Sequence, residues 1–400
     1  MAATRPTILQ IIPALDTGGA ELSTVEIATA IVAGGGRAIV VTGGGRLAAR
    51  IIEAGGEIIH FPAATKNPAQ MMMNARALAA IIRREHVDLV HARSRAPAWT
   101  ALSAARATKR PFITTYHGAY NENGPLKRAY NSVMARGDVV IANSDYTAHL
   151  VQSRYGTPKN RIRVIHRGVD QATFDRARIA PERLAKLQAA WNIAPGQQVI
   201  LQAARLTKWK GQAVVIDALA QLIKTSPAGN LVAVFAGDDQ GRTAYSDDLK
   251  RQIAALGLDA HVRLVGHVDD MPAAYALATV SIIASIEPEA FGRTAIEAQM
   301  MGCPVIATNI GAPPETVLAP PRTDTANRTG WLVAPGDAAG LAAALSDALS
   351  LSPAEREGLT RRAHDHVATN FSLHAMKHAT LRIYDELLDS HLATHQPAQI

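Results

Sequence analysis

Glu289-Ala290-Phe291-Gly292-Arg293-Thr294-Ala295-Ile296-Glu297 lies between two apolar runs, Val280-Ser281-Ile282-Ile283-Ala284-Ser285 and Pro304-Val305-Ile306-Ala307. Short runs of this kind read as strands buried on both faces. Between them, a glycine-bearing loop carries one carboxylate and the helix after it carries a second. A strand, a glycine loop and a helix in that order make a phosphate site, because the first N–H groups of a helix are unsatisfied and lie at the positive end of its dipole. Ionised carboxylates only accept hydrogen bonds, so Glu289 and Glu297 suit the hydroxyls of a ribose or a hexose. Two acids placed near a helix start for the dipole alone are the alternative, and the spacing by itself leaves both readings open.

The same alternation of apolar runs and amphipathic stretches extends along the chain. Runs at Ile8–Pro13, Ala38–Thr42, Glu57–His60, Leu89–His91, Phe112–Thr115 and Val139–Ala142 read as a first sheet, with helices such as Glu21–Ala33 and Ala69–Arg83 between them. The pattern lapses near residues 168–197. A second series follows at Val199–Ala203, Leu231–Ala236, Val262–Val265, Val280–Ala284, Val305–Thr308 and Gly330–Val333. Helix-forming stretches Ala338–Leu349, Pro353–Asn370 and Ser372–Leu392 close the chain, with a tail from Ala393. Repeated βα units imply an α/β protein with two doubly wound, Rossmann-like parallel sheets. The length of 400 residues agrees, since one core seldom holds so many.

Composition narrows the class further. With 48% hydrophobic and 19% charged residues the chain can bury two cores, and aliphatic side chains must fill them because aromatics are 4%. The single cysteine, Cys303, has no disulfide partner within the chain and reads as a packed residue in a reducing compartment. No run of eighteen apolar residues is present, and the stretch Ile8–Leu15 is broken by Pro13, so a first strand explains it better than a signal sequence. The expected location is the cytoplasm, with a possible place on the inner face of the membrane.

Residues 1–180 carry 23 Lys and Arg against 12 Asp and Glu, whereas residues 181–400 carry 18 against 22. Cations cluster at Arg83-Arg84, Arg93/Arg95, Arg106/Lys109/Arg110 and Lys127-Arg128, interleaved with Met71-Met72-Met73, Trp99 and Tyr130. Such a face suits an anionic membrane or a phosphorylated glycolipid; a merely solvated basic surface is the equal alternative. Nucleic acid is not expected as a partner, because no binding motif or zinc-ligand spacing accompanies the charge.

Five further segments accompany the Glu289–Glu297 stretch. They are Asp16-Thr17-Gly18-Gly19-Ala20-Glu21, Thr115-Tyr116-His117-Gly118, Ala142-Asn143-Ser144, Ile165-His166-Arg167-Gly168-Val169-Asp170 and Ala204-Arg205-Leu206-Thr207-Lys208-Trp209-Lys210-Gly211. In this order, and across nearly the whole chain, they resemble the GT-B glycosyltransferases of family 4. The resemblance implies two Rossmann-like domains facing a cleft: residues 1–170 on the acceptor side, 171–371 binding a nucleotide sugar, and 372–400 forming a last helix and tail that return to the first domain. It makes Arg205 and Lys210 a diphosphate clamp, Glu297 the ribose ligand and Glu289 the ligand of the donor sugar. The backbone of Phe291, Gly292 and Arg293 would complete the phosphate nest. Gly18 and Gly19 would form a substrate-facing loop and His117 would face the donor sugar. His91, at a comparable strand end, is a second candidate. Glu287 competes with Glu289 for the site but lacks the Phe-Gly spacing behind it, and Glu315 reads as a helix cap, with a remoter ligand contact as the alternative. One departure stands out: the family has Pro-Asn before the glycine where this chain has His166-Arg167.

No Asp-x-Asp signature or zinc spacing is present in the sequence, so no metal or other cofactor is expected. The implied activity is a retaining hexosyl transfer from a nucleoside-diphosphate sugar to a glycolipid or oligosaccharide, as in lipopolysaccharide or envelope glycan synthesis. Retention comes from the resemblance alone. A nucleotide-sugar epimerase or phosphorylase of the same fold, or a non-catalytic glycolipid- or nucleotide-binding protein, are the alternatives.

Overall fold

In a computed structural model the chain is described over residues 5–16, 18–65, 67–120, 122, 124–225 and 230–395. It divides into two compact units, Met1–Arg167 with His374–Ile400, and Gly168–Leu373.

In the first unit β1 (Thr7–Ile11), β2 (Arg37–Thr42), β3 (Glu57–His60), β4 (Leu89–Ala92), β5 (Phe112–Tyr116), β6 (Val139–Ala142) and β7 (Ile162–Val164) form a parallel sheet. Their order is β3-β2-β1-β4-β5-β6-β7. β1, β5 and β6 are buried throughout, because crossover helices cover both faces of such a sheet. Leu9, Ile39, Val90 and Phe112 meet Leu78 and Ile82 of the helix Pro68–Arg84 in one core. β7 is not among the expected strands. It is a short edge strand with Val164 exposed, so no continuous apolar run announces it.

The helix Leu373–Leu388 brings Tyr384 to the first sheet, where it is wholly buried and bonded to His91 Nδ1 at 2.7 Å. Leu392 then lies on the Gly34–Gly36 turn, where a Cβ on Gly34 would stand 2.4 Å from the Leu392 carbonyl oxygen. The tail begins later than Ala393, since the Asp385 carboxylate accepts from the backbone N–H groups of Leu392 and Ala393 at 2.7 and 2.9 Å. The rest of the expected tail, 396–400, lies outside the described residues.

The second unit holds β8 (Gln198–Ala203), β9 (Leu231–Ala236), β10 (Val262–Gly266), β11 (Val280–Ile283), β12 (Val305–Thr308) and β13 (Trp331–Val333), parallel in the order β10-β9-β8-β11-β12-β13. One face buries Leu201, Val234, Ile283 and Val305 against Tyr275, Phe291 and Met301; the other buries Ile200, Phe235 and Ile282 against Leu219 and Leu345. Cys303 is enclosed, and burial pushes its thiol up to about 12, so it remains an unreactive packing group. In each sheet the strand order reverses once, between β1 and β4 and between β8 and β11. Ligands of doubly wound sheets gather beyond the carboxyl ends of strands at such a reversal.

Candidate functional site

In the second unit the loops after β8 and β11 meet at the reversal. Gln202, buried in β8, donates through Nε2 to the Lys210 carbonyl at 2.7 Å, and the buried Gln212 donates to the Arg205 carbonyl at 2.9 Å. Two amide side chains therefore fix both ends of the loop. Gly211 has φ +71°, and a Cβ there would stand 2.0 Å from the Ala284 carbonyl oxygen, so only glycine lets the loop pass the end of β11. The Ile286 N–H donates to the Trp209 carbonyl at 2.8 Å and joins the two loops.

This approach places the Lys210 ammonium on the Glu289 carboxylate, and the ammonium also lies 4.1 Å from the centre of the Trp209 ring. Ser285, at the end of β11, donates to the same carboxylate oxygen at 2.5 Å. Glu289 is 8% exposed and Glu287 is exposed, so of the two acids Glu289 is the one enclosed with Lys210. The backbone behind Glu289 is held by the Ala312 N–H at 2.9 Å, and a Cβ on Gly311 would come within 2.3 Å of the Glu289 carbonyl oxygen.

Glu297 occupies the second turn of the helix Arg293–Met300 and is 9% exposed. Arg293 Nε donates to it at 2.8 Å and the Tyr275 hydroxyl lies 3.4 Å away. The two carboxylates thus have separate cations, Lys210 for Glu289 and Arg293 for Glu297. Arg205 does not join Lys210. It is exposed and donates to Gln240 Oε1 at 3.2 Å. The Phe291 ring is buried edge-on against Phe371, 5.7 Å between centres, so its side chain is packing. Gly292, at φ +81°, opens the helix without a side-chain cap. Glu315 sits inside the first turn of the helix Pro313–Thr316, whose capping position is Ala312 and which has no side-chain cap bond; the cap reading is therefore corrected. Two other cavities in this unit, about 580 Å³ beside Phe174 and Met301 and about 820 Å³ beside Trp191 and β10, are lined by none of Arg205, Lys210, Glu289 and Glu297.

In the first unit Gly18 takes φ +145° and precedes the helix Gly19–Ala33, and a Cβ on Gly19 would meet nothing within 4 Å. His117 follows β5. Its Nδ1 accepts from the Arg167 guanidinium, and its Nε2 is buried with no hydrogen-bond partner among the described residues. Burial, with the charges of Arg167 and Arg93, holds the imidazole well below its ordinary pKa. His91 proves to be a core histidine, with Nδ1 on Tyr384 and Nε2 on the Thr115 hydroxyl, both at 2.7 Å. Ser144 caps the helix Asp145–Tyr155 in a reciprocal capping box with Thr147, so its place in the sequence pattern has a structural cause.

The basic face is also smaller than the sequence implies. Arg93 is 2% exposed and donates to Ser23 Oγ at 2.5 Å, and burial pulls its guanidinium down to about 10. Arg95 lies between Asn131 and the Tyr120 ring. Arg84 pairs with Glu85, Arg106 with Asp138 and, at 3.8 Å, Arg110 with Asp88. Besides Ile52 and Val164, the exposed apolar side chains of this unit include Met72 and Met73, and Leu126 beside Lys127 and Arg128. Trp99 and Thr100 link these segments through bonds to the Tyr130 and Met71 carbonyls at 3.0 and 3.5 Å. No helix among the described residues is long and apolar enough to cross a membrane.

Comparison with known proteins finds relatives for both units of the chain. The family model described as Glycosyltransferase Family 4 matches residues 17–173, and that described as Glycosyl transferases group 1 matches residues 185–366. A crystal structure of a glycosyltransferase from Rickettsia africae ESF-5 is 35% identical, with a TM-score of 0.86 over 97% of this chain and 100% of that one. Anabaena HepE in complex with UDP-glucose shares the fold at 24% identity, with a TM-score of 0.81 over 95% of this chain and 100% of that one. A D-inositol 3-phosphate glycosyltransferase 2 from Catenulispora acidiphila is 32% identical over 267 residues, 65% of this chain and 58% of that protein. The chain spans about half the length of the curated relatives it matches first.

Proposed function

The chain belongs to the family 4 glycosyltransferases of GT-B fold, and from that premise we propose that it moves a hexose, with retention, from a nucleoside-diphosphate sugar to a hydroxyl of a glycolipid or polysaccharide precursor. The observation that carries the reading is the Lys210–Glu289 pair at the reversal of the second sheet. A cation and a sugar-binding acid stand together there, where a diphosphate ends and a hexose begins. Glu297 takes the ribose hydroxyls, and the opening turn of the helix Arg293–Met300 receives phosphate oxygens.

In the step proposed, the bond from the anomeric carbon to the diphosphate oxygen breaks and the acceptor oxygen bonds to that carbon. The acceptor proton passes to the departing phosphate. Lys210 stabilises the charge that grows on the leaving group, and Arg205, on the mobile side-chain length of an arginine, closes onto the outer phosphate. These two cations replace a metal in this scheme. The test is incubation with UDP-glucose and other nucleotide sugars against lipid and oligosaccharide acceptors. An axial linkage in the product of an axial donor, formed unchanged in the presence of a chelator, is expected. Nucleotide-sugar turnover without any acceptor would favour the epimerase instead.

The first unit takes the acceptor. Its exposed Met72, Met73 and Leu126 beside Lys127 and Arg128 suit a membrane interface better than the paired cations Arg106 and Arg110 do. Binding to vesicles is expected to rise with anionic lipid and to fall with salt, since exposed charges are screened beyond about 8 Å at physiological ionic strength. Leu126→Ser with Lys127→Glu should remove it and leave nucleotide binding intact. No partition onto anionic vesicles at low salt would leave a water-soluble acceptor, and a cytoplasmic enzyme with no membrane attachment, as the better reading.

A further inference from the structure

His117 and Arg167 come from the ends of different strands, β5 and β7, and meet in a part-buried contact. Arginine has donors only, so the ring nitrogen that faces it must be the acceptor. The contact is on Nδ1, and a neutral imidazole with Nδ1 as acceptor carries its proton on Nε2. That Nε2 is enclosed without a partner among the described residues, whereas both nitrogens of the neighbouring His91 are satisfied within the core. Arg167 is itself 5% exposed.

We infer that Arg167 is the positioning residue for His117: it fixes the imidazole as the neutral Nε2–H tautomer, which makes His117 a hydrogen-bond donor to a substrate oxygen and prevents it from acting as a base. The groups facing the ring are Arg167 from the end of β7, Arg93 from the end of β4 and His91 within β4, and the two guanidiniums oppose its protonation. The inference rests on the proposed function only for the identity of that oxygen, a sugar or acceptor hydroxyl. The tautomer assignment stands on the pair alone.

Nitrogen-15 NMR of the full chain labelled at histidine separates the two questions. The His117 signals, identified by their loss in His117→Gln, should show a protonated Nε2 and an unprotonated Nδ1, with no titration between pH 5.5 and 8. In Arg167→Ala the ring loses its donor and one of its two cations. It should then populate the Nδ1–H form and begin to titrate, and turnover should fall about tenfold. Arg167→Lys, which keeps a cationic donor, should restore both the signals and most of the turnover. His117→Gln, whose amide N–H₂ reaches the position of Nε2–H, should retain turnover that His117→Ala loses.

A proton on Nδ1 in the wild type, or the same tautomer and titration in Arg167→Ala, would overturn the inference. So would a His117→Gln variant as inactive as His117→Ala. If no donor supports sugar transfer, the proposed function fails while the NMR result still decides the tautomer.

Discussion

Lys210→Ala is expected to lower turnover by about 10²-fold, the loss typical when one preorganised charge is removed from a group that becomes negative in the transition state. In the free protein this ammonium is paired with Glu289, and the two side chains are 18% and 10% exposed. An ammonium has three donors, so it can hold Glu289 and still receive a phosphate oxygen. The contact should strengthen as the diphosphate departs, and the loss should therefore fall on kcat more than on KM. The substitution also leaves Glu289 without its cation, which costs up to about 3 kcal/mol of stability for a largely buried pair. Lys210→Ala combined with Glu289→Gln separates the effects, since a neutral amide can still bond to Ser285. Thermal unfolding should recover in the double variant while turnover stays low. Wild-type turnover in the single variant would remove Lys210 from the reaction.

The central strands were legible in the sequence because they are buried on both faces, so continuous apolar runs mark them. Edge strands are more exposed, and the one that was missed, Ile162-Arg163-Val164, keeps Val164 in solvent. Glu289 and Lys210 could be named from their loops, but not their contact. Seventy-nine residues separate them, and they meet because β11 pairs with β8 rather than with β10, a choice of strand order that local periodicity does not encode. Ser285, Gln202, Gln212 and Tyr275 escaped for the same reason, although a glutamine inside the apolar run of β8 was a visible sign of a buried polar contact. The two strand-end histidines show the limit most plainly. In sequence His91 and His117 look alike, and what divides them is Tyr384, 293 residues from His91, which closes one ring into the core, and Arg167, which turns the other into a candidate donor.

Glu297→Ala and Glu289→Ala are expected to fail in different ways, and the difference tests how the second unit divides a nucleotide sugar. Glu297 is held by Arg293 and faces the Tyr275 hydroxyl, so its carboxylate is oriented before any ligand arrives. If it accepts from the two ribose hydroxyls, its removal deletes hydrogen bonds to a charged group, each contributing about 1.5–3 kcal/mol. The affinity for a free nucleoside diphosphate should then fall at least about tenfold in calorimetry. Arg293, left without its carboxylate on the same helix turn, adds a stability cost that Glu297→Gln reduces; that variant should fold normally and still bind nucleotide more weakly, since an amide offers one acceptor oxygen in place of two. Glu289 lies beside Lys210 at the far end of the diphosphate, where a free nucleotide has no sugar to offer. Glu289→Ala should therefore leave nucleoside-diphosphate affinity within about twofold and depress sugar transfer by about 10²-fold, because the hexose loses its fixed acceptor and Lys210 loses the partner that holds it in place. Equal nucleotide affinity in the wild type and both variants would contradict the ribose role of Glu297. A parallel loss of nucleotide in both would show that Glu289 serves the diphosphate by holding Lys210, rather than the sugar.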